Sequence, residues 1–299
     1  MSALSEQYLS AAPTLVSLLP AILTKSNKVY NPALALPTTR FWLENVTLDQ
    51  DKLKTFNSLC IWQHDDLVHP GFLHTLSFPL QLKLMLLKDF PFAVLGLVHI
   101  ANKFELYQLI HPTSRVDISC TLGQITPISI GCLFTIETDF FVAQQRVMSA
   151  SHQYLRRDHT KTQTKVAAIQ TLPWQDVDED ESWLLAKNLG WLYAKCSQDY
   201  NPIHLHPWSA KILGFKQHIA HGMWMKSRAF SALSASLPVN LSAAVSCAVD
   251  FKKPLFLPAN AVFQQRTSQS VANTEFRITS QVQQQTIEHM TGRLAYLDN

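Results

Sequence analysis

The sequence predicts an α+β fold in which one plan, a helix followed by several antiparallel strands, is used twice. Three observations predict it. The runs 241–251 (LSAAVSCAVDF), 261–269 (AVFQQRTSQ), 273–282 (NTEFRITSQV) and 286–297 (TIEHMTGRLAYL) are short and separated by Pro, Asn, Ser or Gln clusters, as strands are. A similar series fills 114–156, with RVDISCTLGQI, GCLFTIETDFFVA and QRVMSASHQYL. Each series follows a stretch of helical character, 222–237 in the second half and 73–90 in the first.

Taken in order, the opening MSALSEQYLSAAPTLVSLLPAILTK carries Glu6 and no positive charge before Lys25, so it lacks the basic start of a signal peptide and reads as an amphipathic helix. In the helix expected over 73–90, Pro79 has to start or kink the element, because proline removes a backbone donor. The apolar stretch 90–104 reads as core, and His99 within it is given no catalytic part. The segments 104–119 and 249–264 both place a proline between two β-like runs, which extends the repeat to detail. The polar stretch from Arg156 to Gln175 marks the boundary, giving halves 1–160 and 161–299. After it, DVDEDES (176–182) is expected to open a helix running through ESWLLAKNLGWLYAKCS, since acids oppose the helix dipole favourably there.

Composition removes whole classes of function. With 47% hydrophobic residues in 299, the chain builds a substantial core. A net charge of +3 with scattered lysines argues against a nucleic-acid binder. Five widely spaced cysteines without a CxxC suit reduced thiols in a cytoplasmic protein. No apolar run reaches the roughly 18 residues of a membrane span. Eight isolated glycines are well under half the usual share of about 7%. They make no phosphate cradle, so dinucleotide and P-loop readings fall, and each glycine that remains gains interest.

One polar knot stands out in this charge-poor chain: CSQDYNPIHLH, residues 196–206. The preceding helix cannot pass Asn201, because the residue before proline is pushed out of the α region. Asp199 therefore sits at or just beyond a helix C-terminus, where a carboxylate is disfavoured unless something uses it. His204 follows across the Asn-Pro turn. In GFKQHIAHGMWMKS, Gly222 lies where a new helix begins, and free N–H groups at a helix start attract charge developing on an oxygen. An acid, a base and an anion-stabilising amide form a kit for proton transfer beside a carbonyl.

YAKCSQDYNPIHLHPWSA followed by GFKQHIAHGM resembles the MaoC-like hydratases and dehydratases, the (R)-specific enoyl-thioester hydratase group, over about 35 residues. Their signature runs Tyr-Ala, two residues, Ser-Gly-Asp, one residue, Asn-Pro-Ile-His, then Ala-His-Gly-Met. The resemblance implies hotdog folds, each a long helix wrapped by an antiparallel sheet, and two in one chain make a double hotdog. It implies a hydro-lyase of fatty acid metabolism, hydrating trans-2-enoyl thioesters to (3R)-hydroxyacyl thioesters or running the reverse dehydration. Asp199 and His204 become the catalytic pair holding one water, and the Gly222 N–H stabilises the thioester oxygen. Asn201 orients the loop or the water, and Gln198, Tyr193, His221 and Met223 adjoin the substrate. The first half, 1–160, has no motif and is expected to shape the acyl tunnel together with 90–104. No cofactor and no metal is called for. The partner is an acyl thioester of coenzyme A or acyl carrier protein. A homodimer stays open, because a double hotdog already contains the contact of two single units.

The sequence departs from the signature at Gln198, where the family has glycine, a sign of special backbone angles or tight packing. This substitution reads as tuning. It also supports one rival, a non-catalytic acyl-thioester-binding module; the other rival is a hotdog thioesterase. Without the resemblance, Asp199 and His204 read as a capped turn. His204, His206, His218 and His221 have no convincing spacing for zinc, and His206 starts the next short helix. Lys211, Lys216, Lys226, Arg228 and Lys252 read as a solvated face that also lies near enough to meet coenzyme A phosphates, and Trp208 and Trp224 as core or pocket wall.

Overall fold

A computed structural model describes residues 4–26, 36–157, 174, 177, 179–236, 244–267 and 273–297. Along the chain these form β1 (Ser5–Leu9), α1 (Leu15–Thr24), β2 (Thr39–Thr47), α2 (Gln50–Cys60), α3 (Pro70–Met85), β3 (Leu97–Leu106), β4 (Arg115–Ile128), β5 (Gly131–Val142) and β6 (Gln145–Arg157). The second series is β7 (Glu179–Leu185), α4 (Leu189–Ser197), α5 (Pro202–Leu205), α6 (Pro207–Ile212), α7 (Gly222–Ser236), β8 (Val245–Phe251), β9 (Ala259–Thr267), β10 (Asn273–Val282) and β11 (Gln285–Tyr296). They gather into two units, each discontinuous in sequence: 1–46, 77–102 and 115–174 in one, 47–76, 103–114 and 175–299 in the other.

In the first unit the strand order is β1-β2-β4-β5-β6, with the start of β3 beside β6. β1 runs parallel to β2, while β4, β5 and β6 are antiparallel neighbours. The period of two is plain in β5, where Cys132, Phe134, Ile136, Thr138 and Phe140 are buried and the residues between them are not. Phe90 meets Phe134 edge-on at 5.2 Å, and Phe134 stacks on Tyr154 at 5.4 Å. A polar thread crosses this core. The Tyr154 hydroxyl donates to Gln81 Oε1 at 3.0 Å, Gln81 Nε2 to Ser77 Oγ at 3.0 Å, and Asn102 Nδ2 to His152 Nδ1 at 2.9 Å. Buried polar groups survive in an apolar layer when they satisfy one another in this way.

In the second unit the order is β8-β11-β10-β9-β7, antiparallel throughout. α7 is its central helix. Trp224 of α7 packs edge-on against Trp183 of β7, which stacks on Phe263 of β9 at 5.4 Å and 5°. Phe230, one face further along α7, meets Trp62 and Phe104.

The repeat read from the sequence reappears in the corners of the backbone. α2 ends on Ile61 and α4 on Gln198, both left-handed, at φ 55° and 61°. The β5–β6 hairpin turns on Ala143 and Gln144 (φ 48° and 65°), and β10–β11 on Gln283 and Gln284 (φ 49° and 63°). Two-residue hairpin turns favour positive φ at both positions because that twist matches the strands. A glycine-poor chain fills such corners with alanine and glutamine.

Several expectations are corrected. The acidic run does not open a helix: β7 spans Glu179–Leu185, pairs with β9, and buries Trp183 and Leu185 on alternate positions, so the helix begins only at Leu189. The N-terminal segment forms β1 as well as α1, and only Ile22 of α1 is buried. α3 covers Pro70–Met85 and takes Pro79 into its interior rather than starting there. Part of 90–104 is strand β3. The boundary stretch 158–173 lies outside the described residues. Lys226 and Arg228 are buried, not solvated, and Arg228 pairs with Glu181. Trp208 is 76% exposed, so it is neither core nor wall, whereas Trp224 is buried. All five cysteines are buried. Among the described residues no helix is long and apolar enough to cross a membrane.

Candidate active site

The site is built where α4 stops. Gln198 caps α4 in the left-handed region (φ 61°, ψ 10°), and its N–H donates to the Ala194 carbonyl at 2.9 Å. This conformation explains the glycine of the signature: glycine enters it without steric cost, whereas other residues enter it at about 1–2 kcal/mol. Glutamine takes up this left-handed conformation in the chain. Asp199 stands just beyond the helix, as its sequence position requires.

Three bonds shape the turn. The Asp199 N–H donates to Ser197 Oγ at 3.2 Å, and the Asn201 N–H donates to Asp199 Oδ1 at 3.1 Å. Asn201 Oδ1 in turn accepts from the Ile203 N–H at 3.4 Å, capping α5 with Pro202 in its first turn. Asn201 thus orients the loop. His206 caps α6 through Nδ1, which accepts from the Trp208 N–H at 3.2 Å.

His204 is 8% exposed, and its Nδ1 lies 2.9 Å from the Ile219 carbonyl oxygen. A carbonyl only accepts, so Nδ1 carries the hydrogen and Nε2 keeps a lone pair. In the neutral ring that lone pair points away from Ile219. Gly190 lets α4 approach: a Cβ there would stand 2.0 Å from the His204 carbonyl oxygen. Gly222 opens α7, where an added Cβ would press on the Phe251 ring at 2.9 Å. His221, immediately before it, stacks on His204 with ring centroids 3.7 Å apart at 23°. Its Nε2 lies 3.0 Å from the Asp199 carbonyl oxygen and 3.9 Å from Oδ2.

One donor atom from each of Asp199, His204 and His221 lies within 4.8 Å of the other two. Burial raises the Asp199 carboxyl above its ordinary range, against the opposing pull of His204 and the Asn201 N–H. Burial lowers His204, although Asp199 and the Ile219 carbonyl pull it back up. Burial pushes the Tyr193 hydroxyl well up, helped by Cys60, Cys196 and Asp199; its ring lies 4.9 Å from that of His221. Met223 is buried in the first turn of α7.

The loop and helix starts thus bring Asp199, Asn201, His204, His221 and Gly222 to one region of the second unit. Sequence reasoning overlooked Gly190, Ile219 and Phe251. The scarcity of glycine was the signal available for Gly190. No local pattern marks a carbonyl acceptor or a ring packed against a glycine.

Residues 161–290 match the family model of the MaoC like domain. The chain is 25% identical over 240 residues to 3-hydroxyacyl-thioester dehydratase X of Mycobacterium tuberculosis, covering 76% of this chain and 79% of that protein. It is 35% identical over 65 residues to the (R)-specific enoyl-CoA hydratase of Aeromonas caviae, 22% of this chain and 48% of that one. A MaoC-like dehydratase structure from Phytophthora capsici superposes with a TM-score of 0.74 at 18% identity, over 90% of this chain and 99% of that one. A Mycobacterium tuberculosis protein with a double hotdog fold superposes at 0.57 and 10% identity, over 92% and 97%. The fold is a double hotdog, of class α+β.

Proposed function

We propose that this chain, which carries a MaoC-like domain over residues 161–290, is a hydro-lyase that reversibly hydrates trans-2-enoyl thioesters to (3R)-hydroxyacyl thioesters. The observation that carries the reading is the gathering of Asp199 and His204 within 4.8 Å, with His204 Nδ1 engaged by the Ile219 carbonyl and the Asp199 carboxyl raised by burial. A water held between them loses a proton to His204 Nε2 as its oxygen attacks the β-carbon. The electrons of the double bond move onto the thioester oxygen, where the N–H of Gly222 at the start of α7 meets the developing charge. Collapse of this enolate takes a proton from Asp199 to the α-carbon, and the proton on His204 returns to Asp199 through the next water. No redox step occurs, and the thioester itself acidifies the α-position.

Tyr193, Gln198, His221 and Met223 adjoin the acyl group, and Asn201 keeps the loop in place. In the same reading, residues 1–160 shape the acyl tunnel and 161–299 hold the machinery. The carrier is coenzyme A or acyl carrier protein, and the buried, widely spaced thiols suit a cytoplasmic setting. Loss of the conjugated-bond absorbance of enoyl-CoA substrates tests the reaction. Asp199→Asn and His204→Ala each lower that rate by about 10²–10⁴-fold while the circular dichroism spectrum is unchanged. Wild-type rates in both variants would remove the assigned roles, and release of free thiol would indicate a thioesterase.

A further inference from the structure

We propose that His221 is a positioning residue for the acid–base pair: stacked on His204 and bonded through its Nε2–H to the main chain of Asp199, it sets the base against the acid and stays neutral through turnover. The inference rests on the hydration reading above.

Three histidines stand at helix starts in the second unit. His69 precedes α3 and His206 precedes α6, and each uses Nδ1 to cap its helix, accepting from Gly71 N–H at 2.8 Å and Trp208 N–H at 3.2 Å. His221 holds the same position before α7 yet does not cap it. Its Nδ1 is buried and has no hydrogen-bond partner among the described residues, while Nε2 faces the Asp199 carbonyl oxygen at 3.0 Å. The carbonyl accepts, so Nε2 carries the hydrogen and Nδ1 a bare lone pair. A buried acceptor without a donor is destabilising, and the capping bond is forgone as well.

What the ring does instead is touch both partners. Its face lies on His204, 3.7 Å between centroids, so the His204 plane is fixed from one side while Ile219 fixes its Nδ1. Its edge holds the main chain of Asp199, whose Oδ1 is already held by the Asn201 N–H. Rotation of either partner breaks a contact with His221. The stack also restricts charge: two imidazolium rings this close repel strongly, so it admits a single proton. The titratable groups facing His221 are Tyr193 from α4, Asp199 from the loop after it and His204 from α5, with His218 acting on His204. Burial, then His204, push His221 well below the ordinary histidine range, and the carboxylate of Asp199 favours the proton on His204.

The full chain labelled with ¹⁵N-histidine tests this without reference to turnover. The His221 signal, assigned by its absence in His221→Asn, is expected to keep the neutral Nε2–H tautomer from about pH 5 to 8. A signal that titrates in that window overturns the proposal. In the enoyl-CoA assay, His221→Phe keeps an aromatic face and removes the bond to Asp199, while His221→Asn removes the face. Both are expected to lower kcat by roughly 10–100-fold, a larger change than in KM. His221→Asn also admits water, so the acid limb of the kcat/KM profile moves up by roughly half a unit or more. Unchanged kcat and an unmoved limb in both variants overturn it. A wild-type protein that hydrates no enoyl thioester ends the hydration reading, and the tautomer measurement then decides the role of His221 alone.

Discussion

Gly190→Ala is the sharpest perturbation of this site, because the change is one methyl group and its obstacle is backbone. The new Cβ would stand 2.0 Å from the His204 carbonyl oxygen, 3.0 Å from its carbon and 3.5 Å from its Cβ. An ordinary C···O contact is about 3.3 Å or longer, so roughly 1.3 Å has to be found by separating α4 from α5. Overpacking of this kind costs about 1–3 kcal/mol, occasionally more. That lowers the melting temperature by about 3–10 °C in a chain of this size. The residue pushed is His204, the base of the proposed reaction, and a misplacement near 1 Å costs on the order of 10² in rate. The expected protein is folded, less stable and about 100-fold slower. Thermal melts followed by circular dichroism and the enoyl-CoA absorbance assay read both quantities. A variant that melts within about a degree of wild type and turns over within about threefold would refute the reasoning.

Gln198→Gly relieves a left-handed residue worth about 1–2 kcal/mol and returns about 0.5–1 kcal/mol of chain entropy; urea unfolding should show a net gain of about 0.5–1 kcal/mol, and a loss would contradict the backbone account. Gln283-Gln284→Asn-Gly places at the β10–β11 turn the pair that prefers two positive φ angles, so it should raise the melting temperature by about 2 °C, where a lower value would count against the turn assignment. His69 has its pKa held at about 3 by burial, against the partial support of its bond to the Ser227 carbonyl. The unfolded chain, with an ordinary value near 6.5, binds more protons between those limits, so this contribution is present above about pH 6.5 and is lost as pH falls toward 3. His69→Gln should weaken the protein at neutral pH yet flatten its acid decline; parallel urea curves at about pH 7, 5.5 and 4.5 would exclude His69 as the source.

Much of the site was legible because its logic is local. Pro202 forbids the helix from passing Asn201, the left-handed cap at position 198 is announced by a family glycine, and Asn201 caps the turn it opens, all within a few residues. The two strand series were equally readable, since alternation in β5 or β10 is a property of neighbouring residues. The acidic run misled for the complementary reason. Glu179–Leu185 has the charge of a helix start, but pairing with Ala259–Gln265, 74 to 86 residues away, buries Trp183 and Leu185 and prevails over local preference.

Chain-local rules therefore pointed to the candidate residues and to the repeat of the fold, because helix stops, caps and period-two burial depend on a handful of neighbours. They left open how those residues meet. The hydrogen on His204 Nδ1 is set by Ile219, fifteen residues on; the closeness of α4 to that histidine depends on a missing methyl at Gly190; and the ring of His221 faces Asp199 instead of capping its own helix. Each of these is a contact between segments distant along the chain, and only folding brings such segments within reach of one another.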